Sequence, residues 1–308
     1  MKIVFLDRST LGSDISLDGF KEFGEVITYD STKPEETLKR VKNADIVITN
    51  KVVINSETMD NSNIKLICVA ATGTNNVDLK HASLKKIEVK NVADYSTSSV
   101  SQLTFSIVLK FMQKLEYYEN YTKDGKWENS DIFTNLDVPF HELADKTWGI
   151  IGLGGIGQNV AKIAESFGCR VNYYSTSGKN FNTDYIQVGF DELLSTSDII
   201  SIHCPLNDDT LNLISEDELL IMKEKTILLN LGRGGIINED DLAKVIDEKE
   251  LYCGIDVVSK EPIESNSPLL SIKNTQRLIL TPHIGWASVE ARNRLIEGVI
   301  SNIKEHVL

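Results

Sequence analysis

No stretch of this chain comes near the roughly 18 consecutive apolar residues that a helix needs to cross a bilayer, which argues against a transmembrane helix. Cysteine is scarce. Cys68, Cys169, Cys204 and Cys253 each lie in or beside an apolar, strand-like run, and none has a CxxC spacing. Buried, reduced thiols are therefore expected, rather than disulfides or zinc ligands, and no metal site is expected. Positive charge is in deficit. With 32 basic against 45 acidic residues the net charge is −13, which favours solubility and argues against nucleic acid or an anionic membrane as a partner. An anionic small substrate is still allowed, because one well-placed Arg dominates a local site. A targeting segment is also missing. The opening MKIVFLD is short and ends in an acid, so it reads as a first strand, and the cytoplasm is the expected compartment.

The 308 residues are enough for about two domains. Apolar runs at 2–7, 25–30, 44–50, 65–71 and 87–92 alternate with helical periodicity, and Pro34 suits the first turn of a helix. Short strands alternating with helices imply a parallel sheet covered on both faces. A long helix is expected from about Ser98 to Tyr121, with Leu103, Ile107, Phe111, Val108 and Leu115 on its apolar side. An extended connection follows. A second series of apolar runs begins at 147–153 and continues at 169–174, 198–203, 226–231, 251–258 and 277–282. A last helix is expected over 287–305.

Within that second series, GLGGIG places Gly152, Gly154 and Gly157 between an apolar run and a helix whose buried face is marked by Val160, Ile163, Ala164 and Phe167. The first glycine permits a tight turn, the second admits a pyrophosphate to the backbone, and the third lets helix and strand pack closely. The helix N-terminus favours the negative charge. Dinucleotide-binding chains place an acid about 20 residues on, for the adenosine ribose. Here the sequence reads YYSTSGK, with Ser175 where the acid would stand, then Thr176, Ser177, Gly178 and Lys179. Hydroxyls bond a ribose hydroxyl or a phosphate alike. The segment is either a phosphate-tolerant site assisted by Lys179 or a neutral turn that accepts both cofactors.

Three later strand ends carry polar residues: LLNLGRGGIIN with Asn230 and Arg233, GIDVVSKEP with Asp256 and Glu261, and LTPHIGWAS with His283. Carboxyl ends of strands form the ligand crevice of a doubly wound sheet. Hydride delivery to a carbonyl carbon builds negative charge on oxygen, and His283 can donate the quenching proton. A carboxylate beside the His favours the imidazolium and fixes the ring. Arg233 can grip a substrate carboxylate bidentately. A methyltransferase also uses a glycine loop, but it leaves this trio without a purpose.

These motifs, in this order and over nearly the whole chain, resemble the D-isomer-specific 2-hydroxyacid dehydrogenase family. The resemblance implies an α/β protein of two doubly wound parallel-sheet domains with a cleft between them. One is a flavodoxin-like substrate domain (1–98 plus 287–308), the other a Rossmann-type NAD(P)-binding domain (99–286). It implies Arg233 as substrate Arg, Glu261 as the residue orienting the His, and His283 as acid/base. Gly155 and Ile156 belong to the implied phosphate loop. His203, Cys204 and Pro205 would line the adenosine side, with Thr210 in the same motif. Asn230 and Gly232 would border the cofactor, Asp256 would contact the nicotinamide amide, and Gly285 would sit beside the ring. In the first domain, the backbone N–H groups of Thr72, Gly73 and Thr74 would bind the substrate carboxylate as a small nest. Thr104 would lie near the cofactor. The residues Gln102 and Leu103 stand where many members have Glu-His, so Leu103 is given no polar role.

TNKVV, ATGTNNVD, YST and HIGWAS look most like the glycerate dehydrogenase (hydroxypyruvate reductase) branch, with Trp286 walling the substrate side. The expected activity is NAD(P)H-dependent reduction of a small 2-keto acid, hydroxypyruvate or glyoxylate before a bulkier one such as phenylpyruvate, to the D-2-hydroxy acid. Relaxed NAD/NADP selectivity is expected from the missing acid. A non-enzymatic nicotinamide-sensing scaffold is the alternative from another class. Tyr117, Tyr118, Tyr121 and Trp127 resemble the family's homodimer interface, or else cap their own domain.

Overall fold

The computed structural model describes residues 1–179 and 181–307; Leu308, the last residue of the expected first domain, lies outside them. The chain forms two units, Met1–Ser96 with Trp286–Leu308, and Thr97–Gly285.

In unit 1 the chain runs β1 (Lys2–Phe5), β2 (Glu25–Thr28), α1 (Pro34–Val41), β3 (Ile46–Thr49), α2 (Ser56–Asp60), β4 (Leu66–Val69), α3 (Leu79–Lys85) and β5 (Glu88–Lys90). Pro34 occupies the start of α1, where its missing N–H costs nothing. Among the described residues these strands make a parallel sheet in the order β2-β1-β3-β4-β5. Every residue of β3 and β4 is buried, as expected of a sheet covered on both faces.

Unit 2 contains α4 (Thr97–Gln113), α5 (Leu115–Lys123), β6 (Thr147–Ile151), α6 (Gly155–Ser166), β7 (Arg170–Tyr174), β8 (Ile186–Gln187), α7 (Phe190–Thr196) and β9 (Ile199–Ile202). It continues through α8 (Glu216–Ile221), β10 (Ile227–Asn230), α9 (Glu239–Glu248), β11 (Tyr252–Ile255) and β12 (Leu278–Leu280). The chain then returns to unit 1 as α10 (Val289–Val307). The sheet order is β12-β11-β10-β9-β6-β7-β8, all parallel. Alternate residues of β10 enter separate cores. Leu228 packs with Ile200, Ile202 and Cys253, and Leu229 with Ile150, Tyr173 and Ile199. All four cysteines are buried and unpaired.

Three expectations are corrected. The long helix breaks at Lys114, whose φ of 53° is left-handed, so α4 and α5 are separate. Leu115 therefore leaves the apolar stripe and is 67% exposed. Phe167 caps α6 rather than joining its buried face. It is exposed and stacks on Phe105, while Ala161 takes a core position. Strand β8 was not expected; its two residues are both exposed at the sheet edge, too short and too polar in context to give a periodic signal.

Candidate active site

The glycine loop joins β6 to α6. Gly152 has φ 91°, and a Cβ there would lie 2.7 Å from the Cys204 backbone nitrogen. At Gly157 a Cβ would lie 2.3 Å from the Gly152 carbonyl oxygen, which is the close packing of helix on strand. Gly154 is different: nothing in the protein lies within 4 Å of its would-be Cβ. It is the N-cap of α6 and offers no side-chain cap, so the N–H groups of Gly155, Ile156 and Gly157 have no acceptor among the described residues. An open cradle before a helix N-terminus suits a pyrophosphate.

Two orphaned polar groups border the same loop. Ser175 follows β7, and its hydroxyl is buried without a partner. His203 follows β9 and is half-buried, with both ring nitrogens shielded and unpartnered. Buried polar atoms without partners are expensive unless a ligand satisfies them, so this corner fits the adenosine half of a dinucleotide. Thr176 is half-buried, and Ser177, Gly178 and Lys179 are exposed. Lys179 forms no ion pair among the described residues. Cys204 is buried against Gly152, and Pro205 is exposed. Thr210 is fully buried. Its hydroxyl donates to the Pro205 carbonyl (2.7 Å) and accepts from the Asn207 N–H (2.8 Å), fixing the loop after β9. Thr104 is also fully buried, and its hydroxyl proton is committed to the Val100 carbonyl inside α4 (2.8 Å). Ile156 is half-buried in the first turn of α6.

Burial pushes the His203 imidazole down from an ordinary 6.5 to about 3. It is therefore neutral at pH 7 and adds no charge for a phosphate. The unfolded chain binds the proton that the folded one refuses, so stability is full above pH 6.5 and falls as pH drops toward 3. Between pH 7.5 and pH 5 the cofactor-free protein is expected to lose about 2 kcal/mol more than His203→Phe does. Urea unfolding at the two pH values measures this, and equal losses would refute it.

The polar trio sits on the loops after β10, β11 and β12. His283 Nδ1 donates to Glu261 Oε2 at 2.7 Å. Both side chains remain partly exposed, 24% for His283 and 32% for Glu261. His283 has φ 54°, an uncommon conformation for a non-glycine residue, and is held there by two hydrogen bonds. Its N–H donates to the carbonyls of Asp256 (2.8 Å) and Thr281 (2.9 Å). The Asp256 carboxylate completes the clamp. It accepts from the Thr281 hydroxyl (2.6 Å) and from the N–H groups of Ile284 (2.9 Å) and Gly285 (2.8 Å). Only 2% of Asp256 is exposed. Burial raises its pKa, against the opposing pull of those hydrogen bonds and of nearby His283. In this structure Asp256 positions the His283 turn.

Arg233 is exposed, and one of its guanidinium N–H groups is used on the neighbouring Gly232 carbonyl (2.8 Å). Its turn is tied by Asn230, which donates to the Arg233 carbonyl (2.8 Å) and accepts from the Gly232 N–H (3.1 Å). A Cβ on Gly234 would fall 2.0 Å from the Val258 carbonyl. The turn carrying Arg233 therefore rests directly on the loop that carries Glu261. The clamping roles of Asn230, Thr281 and Gly234 were not legible beforehand; the paired glycines after Arg233 were the one available signal.

In unit 1, Thr72, Gly73 and Thr74 lie in the loop after β4, and the N–H groups of these three have no acceptor among the described residues. Trp286 packs edge-on against Tyr95 beside the α10 core and is half-buried. No helix of the described residues is long and apolar enough to cross a membrane.

The chain is similar to known proteins. Residues 105–285 match the D-isomer specific 2-hydroxyacid dehydrogenase NAD binding domain. The hydroxypyruvate reductase of Blautia hydrogenotrophica is 39% identical over 315 residues, covering 99% of this chain and 96% of the relative. The glycerate dehydrogenase of Methylorubrum extorquens is 34% identical, with coverage of 99% and 96%. The structure of an acyclic imino acid reductase in complex with NADPH and D-Arg superposes with a TM-score of 0.86 at 27% identity, covering 100% of this chain and 97% of that one. A glycine cradle, a clamped His–Glu pair and an adjoining Arg turn thus coincide with sequence identity over almost the full length: the chain belongs to the D-isomer-specific 2-hydroxyacid dehydrogenase family.

Proposed function

We propose that the protein reduces hydroxypyruvate and glyoxylate to D-glycerate and glycolate. The observation that carries this reading is the 2.7 Å His283–Glu261 pair, clamped by Asp256 next to the Arg233 turn. When bound, a nicotinamide cofactor supplies the hydride. Gly152, Gly154, Gly155, Ile156 and Gly157 would hold its phosphates, and Ser175, Thr176, Ser177, His203, Cys204 and Pro205 its adenosine half. Asn230, Gly232, Asp256 and Gly285 would border its nicotinamide half, while Thr104 and Thr210 would support it through the backbone they fix. Arg233 binds the substrate carboxylate and polarises the carbonyl, because a planar guanidinium matches a carboxylate bidentately. The N–H groups of Thr72, Gly73 and Thr74 would bind a substrate carboxylate, and Trp286 would supply an apolar wall. His283 Nε2 donates the proton to the carbonyl oxygen, and Glu261 stabilises the charged ring through Nδ1. Residues 1–98 with 287–308 serve as the substrate domain and 99–286 as the cofactor domain.

The reading extends to cofactor choice. With Ser175 in place of an acid, no carboxylate stands at that position to repel a 2′-phosphate, and Lys179 is exposed and forms no ion pair among the described residues. NADPH is expected within about tenfold of NADH in kcat/KM. Lys179→Ala should weaken NADPH alone. A matrix of both cofactors against hydroxypyruvate, glyoxylate and phenylpyruvate checks these points. Strict NADH dependence would remove the selectivity claim, and preference for phenylpyruvate would remove the substrate claim.

A cytoplasmic homodimer completes the reading. Four unpaired, buried thiols suit a reducing compartment. Phe133 and Leu136 are 89% and 74% exposed, beside exposed Leu115, Trp127 and Phe140. So much apolar surface on one segment favours burial against a second copy. Sedimentation should give twice the 34.4 kDa chain mass, and a monomer at micromolar concentration would refute it.

A further inference from the structure

The strand order of unit 1 reverses between β1 and β3. In a doubly wound sheet this reversal opens a crevice beyond the carboxyl ends of the two strands. Asp7 lies just past β1, and Asn50 and Lys51 just past β3. Asp7 is 8% exposed. Its carboxylate accepts from the N–H groups of Asn50 (2.9 Å), Lys51 (2.7 Å) and Val52 (3.3 Å), and from the Thr49 hydroxyl (3.4 Å). A buried carboxylate is tolerated only when so many donors replace its water. The effect is to fix the backbone of residues 50–52.

That fixed turn is joined to the loop after β4. The Asn76 side-chain amide donates to the Val52 carbonyl (3.0 Å), and the Ile54 N–H donates to the Asn76 carbonyl (2.8 Å). The same loop carries Thr72, Gly73 and Thr74, with their N–H groups unspent. Lys51 thus stands on a rigid turn tied to these donors. Its side chain is exposed, and its ammonium has no partner among the described residues.

We propose that Lys51 is a specificity-determining residue that reads a hydroxyl on the carbon next to the keto group, with Asp7 as its positioning residue. This rests on the reading that residues 72–74 bind the substrate carboxylate. An ammonium has three donors and no acceptor. The C3 hydroxyl of hydroxypyruvate offers lone pairs to it, and the methyl group of pyruvate offers none. A hydrogen bond with a charged donor outweighs a neutral one, and a site built around a hydroxyl discriminates against the analogue lacking it.

The test compares kcat/KM for hydroxypyruvate and pyruvate, which differ only in that hydroxyl, in wild type, Lys51→Met, Lys51→Arg and Asp7→Asn. The hydroxypyruvate-to-pyruvate ratio is expected to fall about tenfold or more in Lys51→Met and to recover in part in Lys51→Arg. Asp7→Asn should lower the same ratio, chiefly through KM. NADH binding, followed by fluorescence titration, should be unchanged in all three, which a general structural defect would not leave intact. An unchanged ratio in Lys51→Met, with hydroxypyruvate turned over normally by wild type, overturns the role of Lys51 and leaves the proposed function standing. A wild type inactive on hydroxypyruvate overturns both.

Discussion

Replacing His283 by Ala is expected to lower kcat by about 10²–10⁴-fold while leaving NADH binding unchanged. The size follows from what the imidazole does. The carbonyl oxygen gains negative charge as its carbon accepts hydride, and His283 is the group on this sheet edge that a carboxylate holds in place through the opposite ring nitrogen, at 2.7 Å. Protein stability should change little. The left-handed backbone at φ 54° is retained by Ala, and the clamp on it comes from Asp256, which does not depend on the ring. Stability and activity are thereby separable, and a variant that stays folded, binds NADH and turns over at the wild-type rate would end the assignment.

Glu261→Gln grades the same argument. A Gln carbonyl still accepts from His283 Nδ1, so the ring stays oriented, but the negative charge that favours the imidazolium is gone. The loss should be smaller than for His283→Ala, about tenfold. Wild-type turnover in Glu261→Gln would mean that orientation alone, not charge, is the contribution of Glu261.

The trio itself was readable in the sequence because each member ends a strand run, and parallel strands put their carboxyl ends on one edge. Its support was not readable. Asp256 reads in the sequence as a cofactor contact, and nothing local reports that its carboxylate also holds Thr281, Ile284 and Gly285. Such clamps join residues 25–29 apart, and no local periodicity reports them. Thr104 and Thr210 show the same limit: side-chain type was visible, but not that each hydroxyl is spent on its own backbone. The break at Lys114 escaped because apolar spacing ran on past it to Leu115, while a single left-handed residue ended the helix. The glycine loop was legible as a motif, with a separate reason for each of its three glycines; the close approaches at Gly152 and Gly157 and the open space at Gly154 put distances to those reasons.

Those reasons predict different consequences. Gly154 has φ −79° and ψ −165°, a conformation open to any residue, and empty space before it. Gly154→Ala should therefore leave the unfolding free energy of the cofactor-free protein within about 1 kcal/mol of wild type. The added methyl group occupies the cradle, however, and overpacking a close contact costs about 1–3 kcal/mol. NADH affinity should fall by about 10- to 100-fold. Gly157→Ala reverses the order of effects. Its Cβ would press on the Gly152 carbonyl at 2.3 Å, and backbone cannot rotate away as a side chain can. The cofactor-free protein should lose about 2 kcal/mol or more, with weakened binding as a consequence of the displaced helix. Unfolding of the cofactor-free variants together with NADH titration distinguishes the two. If Gly154→Ala binds NADH like wild type, the open space before α6 is not where the pyrophosphate lies, and the loop's second glycine is explained by neither packing nor ligand.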